Sequence, residues 1–437
     1  MKLIEKFHKM ETDSKLFELG KELKLPIWDI IRYHVYVKYY YSDNDRKNLS
    51  TQPRHKIREY FGLLYQLYTF ILGLLFRKGE NIILSSSRYL NGNGKYFDKS
   101  IMPIIDVLGS NYLVMETILR KKVAYHYIYN LSAISRRFFP RKNIPSKYFA
   151  KINDALNQNL GENRITHNEL NKIYSNYLSD YCYYKFIFRI KRTKRLIIST
   201  GNPKASLMAA KDLDIKTYLV QHAGIELDEV DYSYPKGISQ HSNILFPNYV
   251  LTFGDYWCKN INVPAHHITP IGNDYFYLKP NEHSDESILI ISTIIHGGEL
   301  RKLTIELANQ KPGLRLVYKL HPNEFHLKSE YVEYFRNSQN VKIITTETDT
   351  NTLIAKSQLV ILIVSAVLYE ALNQNKKVAI LKKLNYKRQL TLLNFSNIYF
   401  FDSPKELPKI LSAKIIKEEV NFYKPTDFRV INRLLND

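Results

Sequence analysis

Cysteine is nearly absent from this chain of 437 residues, which contains only Cys182 and Cys258. The two stand far apart and form neither a CxxC pair nor a disulfide framework, which is typical of a protein that works in a reducing cytoplasm. The first fifteen residues lack the apolar core of a secretory signal peptide. Zinc-ligand spacings and RNA-binding signatures are missing as well, so nucleic acid is not an expected partner.

Long hydrophobic runs are also scarce. The longest, residues 61–76, is shorter than the roughly twenty residues that cross a bilayer, and it contains a glutamine, two tyrosines and a threonine. We favour a buried helix packed on the first predicted sheet. Basic residues flank the run, namely Lys56, Arg58, Arg77 and Lys78. A helix resting on an anionic membrane is therefore one alternative, and a true span is the other.

Acidic residues are few relative to basic ones. The chain has 63 Lys and Arg against 42 Asp and Glu, a formal net charge of +21. The excess is spread along the chain and interleaved with aromatic residues, including 34 tyrosines. Such a charge attracts polyanions, and with nucleic acid set aside these are anionic lipids, acidic sugars or nucleotides.

The order of apolar segments predicts an α/β fold in three parts. Residues 1–80 show helical spacing and form an N-terminal helical segment. Short apolar strands then alternate with helices through 81–278, and again through 279–437, after a polar linker at 279–286. Alternation of this kind indicates two Rossmann-like domains, each built on a parallel sheet, that face each other across a central cleft.

A His-Pro pair, His321-Pro322, follows the apolar strand 315–320 in the second half of the chain. Proline cannot continue the ladder, so it fixes the end of the strand. Ligands of open parallel sheets bind at that edge, where an imidazole donates to a phosphate oxygen. Lys319 lies two residues back and points to the same face as His321. The alternative is a purely structural turn.

Two further strand ends of the second half carry polar groups. Ser365 follows the strand 359–364 and is placed to cap a helix, whose free N–H groups hold an anion. Glu370, on the first turns of that helix, is suited to two ribose hydroxyls; otherwise it is a solvated glutamate. The strand that begins at Ile288 is followed by Ser292, Thr293 and Gly297. Their hydroxyl and backbone N–H groups could cradle a phosphate, which is a weaker signal than the His-Pro pair.

The first domain places its own polar side chains at strand ends. Gln221 and His222 follow one strand, and His222 is suited to orient an acceptor or contact a leaving phosphate. Ser87 and Arg88 follow another, and Arg88 is suited to a carboxylate or phosphate. For each pair the alternative is an ordinary loop or surface residue.

A transfer with inversion also needs a base for the acceptor hydroxyl. Asp98 is the first choice, and Glu226 and Asp228 are the competitors. The acidic triplet 43–45 has a DxD pattern but follows a helix, so we interpret it as a turn. We expect no metal site and no cofactor.

These motifs together resemble those of bacterial surface-polysaccharide glycosyltransferases of the GT-B type. His321-Pro322 is similar to the HP motif of bacterial sialyltransferases and polysialyltransferases, which contacts the phosphate of CMP. Ser365 and the stretch 370–372 resemble their serine-containing strand–helix element. The stretch 221–224 is similar to the Gln-His-Gly of capsule Kdo transferases and teichoic-acid CDP-alditol phosphotransferases, with Ala inserted. Residues 27–32 resemble the start of some capsule-locus transferases. The acidic motif of the sialyltransferases is not present.

The resemblance implies an inverting, metal-independent enzyme with a CMP-linked nonulosonic or ulosonic acid donor of the sialic, pseudaminic, legionaminic or Kdo type. A glycan or lipid-linked glycan is the implied acceptor, in capsule, O-antigen or lipooligosaccharide synthesis. We expect a cytoplasmic protein, with contact to the inner face of the membrane as an option. The alternatives are a UDP-sugar transferase, a CDP-alditol phosphotransferase, and a non-catalytic assembly factor or polyanion-binding protein.

Overall fold

The structure is a computed structural model. It describes residues 3–40, 67–73, 75, 79–91, 93–117, 122–136, 143–161, 164–201, 203–225, 229–238, 243–259, 261–277, 287–294, 297–345, 348–383 and 392–436. The predicted linker at 279–286 and the acidic triplet at 43–45 lie outside these ranges. Among the described residues no helix is both long and apolar enough to cross a membrane.

The helices are α1 Leu3–Asp13, α2 Ile27–Tyr40, α3 Met102–Leu108, α4 Ser132–Ser135, α5 Ser146–Leu160, α6 His167–Lys191, α7 Lys204–Asp212, α8 Asp255–Lys259, α9 Gly297–Gln310, α10 Lys328–Tyr334, α11 Thr350–Lys356, α12 Val367–Asn373, α13 Leu407–Ser412 and α14 Phe428–Asn436. Short 3₁₀ turns cover Leu16–Glu18, Lys21–Leu23, Val230–Tyr232, Pro322–Leu327 and Pro404–Glu406. Residues 67–73 and 75 are helical as well.

The strands are β1 Asn81–Ser85, β2 Tyr89–Leu90, β3 Tyr96–Phe97, β4 Leu113–Glu116, β5 Tyr127–Tyr129, β6 Arg195–Ile198, β7 Lys216–Val220, β8 Tyr249–Thr252, β9 His267–Pro270, β10 Ser287–Ile291, β11 Arg315–Lys319, β12 Val341–Ile344, β13 Ser357–Leu362, β14 Lys377–Leu381 and β15 Ile398–Phe401. All but β2 and β3, which pair as a small antiparallel hairpin, belong to two parallel sheets.

The first sheet has seven strands in the order β5-β4-β1-β6-β7-β8-β9. The chain adds β4 and β5 on one side of β1 and then returns to place β6 on the other side. The order therefore reverses between β1 and β6, and such a switch point opens the crevice where ligands of parallel sheets bind.

The second sheet repeats this plan with six strands in the order β12-β11-β10-β13-β14-β15. Its reversal falls between β10 and β13, which are fully buried apart from Gln358. Two parallel sheets with helices confirm the predicted α/β class and the two Rossmann-like domains.

The N-terminal segment is fastened to the first domain by buried polar contacts. Arg32 of α2 donates to Glu11 of α1 (Nε to Oε1, 2.5 Å) and to the backbone oxygens of Val230 and Ser233. Asp29 of the same helix accepts from Lys204 Nζ at 2.9 Å. Removing one partner of a buried ion pair leaves an uncompensated charge and strongly destabilises the folded protein. These contacts therefore hold the N-terminal segment against the first domain.

The C-terminal end of the chain crosses back to the first domain. Phe422 accepts a hydrogen bond from Trp257 Nε1 at 2.7 Å, and Lys424 accepts one from the N–H of Asn273 at 2.9 Å. The final helix α14 lies beside the first sheet, where the Tyr218 hydroxyl donates to Leu434 O at 2.8 Å. The sequence predicted that these residues belong to the second domain, which was taken to span 279–437. The pattern of a single helix does not indicate which of two sheets it packs on.

Two strands, β5 with its buried Ile128 and β15, were not foreseen. One expectation was wrong. Ser365 does not cap α12: that helix begins at Val367, Ala366 holds the cap position, and the Ser365 hydroxyl accepts from Val367 N at 3.3 Å.

Candidate functional site

Asp98 lies at the switch point of the first sheet and bridges the ends of two strands. Its Oδ2 accepts from the hydroxyls of Ser85, at the end of β1, and Ser199, just after β6, at 2.8 and 2.5 Å. Its Oδ1 accepts from Ser100 N at 2.9 Å. The carboxylate is buried, and these donors hold it rigidly. Ser199 was missed by the sequence prediction, because only the strand order brings it beside Ser85.

Ser87 is also buried, but it points toward a protein carboxylate. Its N–H donates to Glu116 Oε1 at 2.9 Å, its hydroxyl donates to Glu116 Oε2, and the Tyr125 hydroxyl lies 2.6 Å from its Oγ. The predicted role of Ser87 in binding a sugar carboxylate stays a prediction. In this arrangement its donors are already occupied by Glu116, a residue the sequence did not single out.

His222 follows β7, and its ring nitrogen Nδ1 is buried without a hydrogen-bond partner in the described part of the chain. Burial, reinforced by the positive charge of Arg88 and opposed by Asp98, lowers the pKa of His222 to about 4. The imidazole is therefore neutral near pH 7. Its neighbour Gln221 has a structural position, since its amide accepts from Phe253 N at 2.8 Å and donates back to the loop.

Arg88 connects the two domains electrostatically. Its side chain is exposed, and its charge acts on a histidine of each domain. Burial is the largest cause that lowers the pKa of His222, and the charge of Arg88 is the second. The same charge also lowers the pKa of His321. For His321 the main cause is again burial, and Glu324 opposes the shift. The charge of Arg88 therefore acts on both predicted histidines, one in each domain.

The His-Pro element has the predicted form. Lys319 closes β11, and Pro322 begins the 3₁₀ turn that follows His321. The Lys319 side chain is buried, and its Nζ donates to Thr348 O at 3.4 Å. Pro322 is exposed, so its contribution is to end the strand.

A protein carboxylate stands at the predicted phosphate cradle. Glu324 is buried and accepts from the Tyr331 hydroxyl at 2.6 Å and from His321 N at 3.2 Å. A methyl group added at Gly297 would lie 3.0 Å from Glu324 Oε1, so the carboxylate lies against the first residue of α9. Ser292 is buried nearby and accepts from the Tyr318 hydroxyl at 3.3 Å. Thr293 is half-buried.

Glu370 lies where the two domains meet. Burial raises its pKa to about 7, while the positive charge of Lys99 opposes the rise. Lys99 belongs to the first domain and donates to Asp349 Oδ1 of the second at 2.7 Å. It also lies 4.8 Å from the ring centre of Tyr89. The sequence did not single out Lys99, Asp349 or Tyr89, because each joins the site only when the two domains face each other.

Some predicted residues lie outside the described part of the chain, namely Glu226, Asp228 and the triplet at 43–45. Within the described part, no group of three or more His, Cys, Asp or Glu side chains is arranged to hold a metal ion. The roles predicted for the site residues remain predictions. The structure brings the two domains together at the Lys99–Asp349 pair, and, besides burial, the charges of Glu370, Asp98 and Arg88 all act on the pKa of Tyr89 beside it.

No protein-family model matches the chain, and comparison with curated proteins gives no significant match. Solved structures do share its fold. The chain is similar to the S. aureus MnaA–UDP structure, with 12% identity, a TM-score of 0.51, and coverage of 82% of this chain and 95% of the other.

Two weaker likenesses cover the same share of this chain, 82%. The Methanocaldococcus jannaschii UDP-GlcNAc 2-epimerase has 14% identity over 98% of its length and a TM-score of 0.48. The Acinetobacter baumannii MurG has 9% identity over 90% of its length and a TM-score of 0.40. At these identities the likeness concerns the fold, which is of the GT-B type.

Proposed function

We propose that this protein is an inverting glycosyltransferase that transfers a nonulosonic or ulosonic acid from its CMP donor to a glycan acceptor, without a metal or other cofactor. One observation carries the proposal: the charge of Arg88 acts on both His222 and His321, one in each domain, and Lys99 of the first domain pairs with Asp349 of the second at 2.7 Å. A donor of this class carries a carboxylate and a phosphate. The positive charge of Arg88 complements the first, and the strand end at His321 complements the second.

The leaving CMP is stabilised by the second domain. His321 follows β11 and donates to the phosphate, and binding of the anion favours the protonated imidazole and a charge-assisted bond. Lys319 adds a positive charge on the same strand. Such preorganised charge at the point where negative charge develops is the largest contribution in many enzymes.

The acceptor proton goes to His222 rather than to Asp98. Nδ1 of His222 has no hydrogen-bond partner among the residues that the structure describes, whereas three donors already engage Asp98. A free imidazole with a pKa of about 4 is a weak base. The positive charge of Arg88 is one of the causes of this low pKa. A donor carboxylate that binds and neutralises Arg88 therefore raises the pKa of His222 in the complex that reacts. Asp98 then positions the loop and stabilises the imidazolium.

Glu370 is suited to the donor ribose, as the sequence predicted. An ionised carboxylate accepts from two neighbouring hydroxyls, and Lys99 favours that ionised form. The carboxylate of Glu324 lies against Gly297 at the start of α9 and would repel a phosphate there. We therefore place the donor phosphate at His321 and not at Gly297.

A UDP-linked sugar is the second candidate donor, since UDP is present in the S. aureus MnaA structure. A CDP-alditol remains a third. A non-catalytic polyanion-binding protein would show no preference among nucleotides and would bind polyanions in a strongly salt-dependent way.

Thermal denaturation with CMP, CDP, UDP and GDP, followed by a donor assay with the nucleotide that binds, tests the proposal. We expect CMP to raise the melting temperature most, because a ligand stabilises only the state that binds it. His321→Ala should abolish that shift and reduce turnover about 100-fold while the unliganded protein melts normally. The matched control is His326→Ala, which removes an exposed histidine from the same 3₁₀ turn. Near-normal turnover of His321→Ala would overturn the donor site, and preferential stabilisation by UDP would replace CMP as the donor nucleotide.

A further inference from the structure

The helical residues at 67–73 and 75 expose a face of aliphatic side chains and one tyrosine. A surface helix of a globular protein normally turns its polar side to water. Here the side chains with exposed fractions of 36–69% lie at positions i, i+1, i+4, i+5 and i+8, one side of a helix. This set, the apolar face, consists of Leu67, Tyr68, Ile71, Leu72 and Leu75.

The opposite side of this segment is firmly packed on the first domain. The ring of Phe70 stacks on Tyr183 of α6 with centroids 6.2 Å apart, and Lys191 Nζ donates to Gly73 O at 2.6 Å. A methyl group at Gly73 would lie 1.8 Å from Ile128 of β5, so the backbone approaches the sheet as closely as glycine allows. The packing therefore fixes which side of the segment faces outward.

The helix α6 extends the apolar face. Phe186 and Ile190 are exposed by 55% and 49%, one turn apart on the same side of α6. Phe186 lies one turn beyond Tyr183, which is the residue that contacts the 67–73 segment. Two helices that contact each other through Phe70 and Tyr183 thus both expose apolar side chains.

Positive charge surrounds this surface. Arg189 and Arg192 are exposed beside Ile190. The chain as a whole carries a net charge of +21. A protein partner with an apolar patch would not require this excess, whereas an anionic lipid surface attracts it.

We propose that the apolar face, together with Phe186 and Ile190, docks on the surface of an anionic lipid bilayer. The apolar side chains enter the boundary between headgroups and acyl chains, and the surrounding cations contact lipid phosphates. The segment lies in the plane of the membrane and does not cross it. This inference goes beyond the proposed glycosyl transfer and does not depend on it.

Co-sedimentation of the full chain with phosphatidylglycerol/phosphatidylcholine vesicles tests the proposal, with pure phosphatidylcholine vesicles as the comparison. We expect the wild-type protein to bind the anionic vesicles and to be released by salt. The double variant Ile71→Gln/Leu75→Gln should weaken binding about tenfold, since it removes apolar area. The matched control is Val332→Gln/Leu393→Gln, which replaces two exposed apolar residues of the second domain.

The charged part is tested separately. Arg189→Glu/Arg192→Glu should remove the preference for phosphatidylglycerol while the circular dichroism spectrum is unchanged. Failure of the wild-type chain to bind anionic vesicles, or equal binding by the Ile71→Gln/Leu75→Gln variant and its control, would overturn the proposal. A lipid-free dimer that light scattering detects and that this variant dissociates would assign the surface to a second copy of the chain instead. Nucleotide-induced thermal shifts of the same samples report on the donor site independently.

Discussion

Arg88 is the residue whose charge sets the chemistry of the cleft. It is exposed and follows β1 by three residues, yet it lowers the pKa of a histidine in each domain. Burial is the main cause that lowers the pKa of both imidazoles, and the positive charge of Arg88 adds to it until an anion binds. Binding of the donor and activation of the base are then linked through electrostatics, without any movement of the backbone.

The Arg88→Gln variant tests this linkage through the pH dependence of kcat/KM. In the wild-type enzyme the acidic limb should fall near the pKa of His222, about 4, because activity requires the neutral imidazole. Removing the positive charge raises that pKa, so the limb moves to higher pH, although burial keeps it below the ordinary value of 6.5. Arg336→Gln, an exposed arginine paired with Glu333 in the second domain, is the control. An unchanged limb in Arg88→Gln would contradict the linkage.

Glu370 predicts a pH dependence of stability. Its folded-state pKa of about 7 lies above the ordinary 4.5, so the folded chain holds this proton more tightly than the unfolded chain. The stabilisation is present below about pH 4.5 and is lost as the pH rises through 7. Glu370→Gln does not titrate, and relative to wild type it should gain roughly 2–3 kcal/mol in unfolding free energy between pH 4.5 and 8. Urea denaturation at both pH values measures this, with the exposed Glu306→Gln as the control. A parallel pH response of Glu370→Gln and wild type would refute it.

At the scale of elements, the C-terminal crossing segment depends on glycine. Gly272 has φ +71°, and a methyl group there would lie 2.0 Å from Pro425 O. The neighbouring N–H of Asn273 donates to Lys424 O across the same contact. Glycine is required twice, for the left-handed backbone and for the close approach of two chains.

Gly272→Ala should therefore lower the unfolding free energy by about 2–4 kcal/mol, from backbone strain together with steric overlap. The control Gly237→Ala separates the two causes, since Gly237 also has a positive φ of +83° but nothing within 4 Å of the added methyl group. We expect a loss of only about 1–2 kcal/mol there. Equal losses for the two variants in urea denaturation would show that the crossing contact contributes nothing.

At the scale of the whole molecule, the two domains are joined by an ion pair across the cleft as well as by the covalent chain. Lys99 of the first domain and Asp349 of the second are 2.7 Å apart. The Asp349 side chain is 48% exposed, so the pair adds less than about 1 kcal/mol to stability. Its importance is geometric, because it holds Lys99 beside the Tyr89 ring, where its charge acts on Glu370.

Asp349→Asn isolates that effect, since asparagine still caps α11 as aspartate does. We expect a nearly unchanged melting temperature but a larger radius of gyration in small-angle X-ray scattering, as the domains separate more readily. Asp402→Asn is the control, because it breaks the Lys382–Asp402 pair, which is also 2.7 Å long but lies within the second domain. An equal radius of gyration for the two variants would show that the Lys99 pair does not hold the cleft.

The sequence by itself determined the local elements and the polar strand ends. Buried parallel strands are continuous apolar runs, so β1, β6, β10, β11 and β13 were legible from side-chain type alone. Proline after His321 marked where β11 stops. The short strand β5 and the strand β15 escaped, because their sequences, with aromatic and polar neighbours, carry a weaker signal.

The tertiary structure alone decided which of these strand ends meet. Ser199 reaches Asp98 only because β6 returns to lie beside β1, and Lys99 reaches Asp349 only because the domains face each other. It also decided protonation: burial and a neighbouring cation make His222 a neutral imidazole, and burial makes Glu370 a weak acid. Those shifts arise from desolvation and from charges distant in the chain, and neither is encoded in the local sequence.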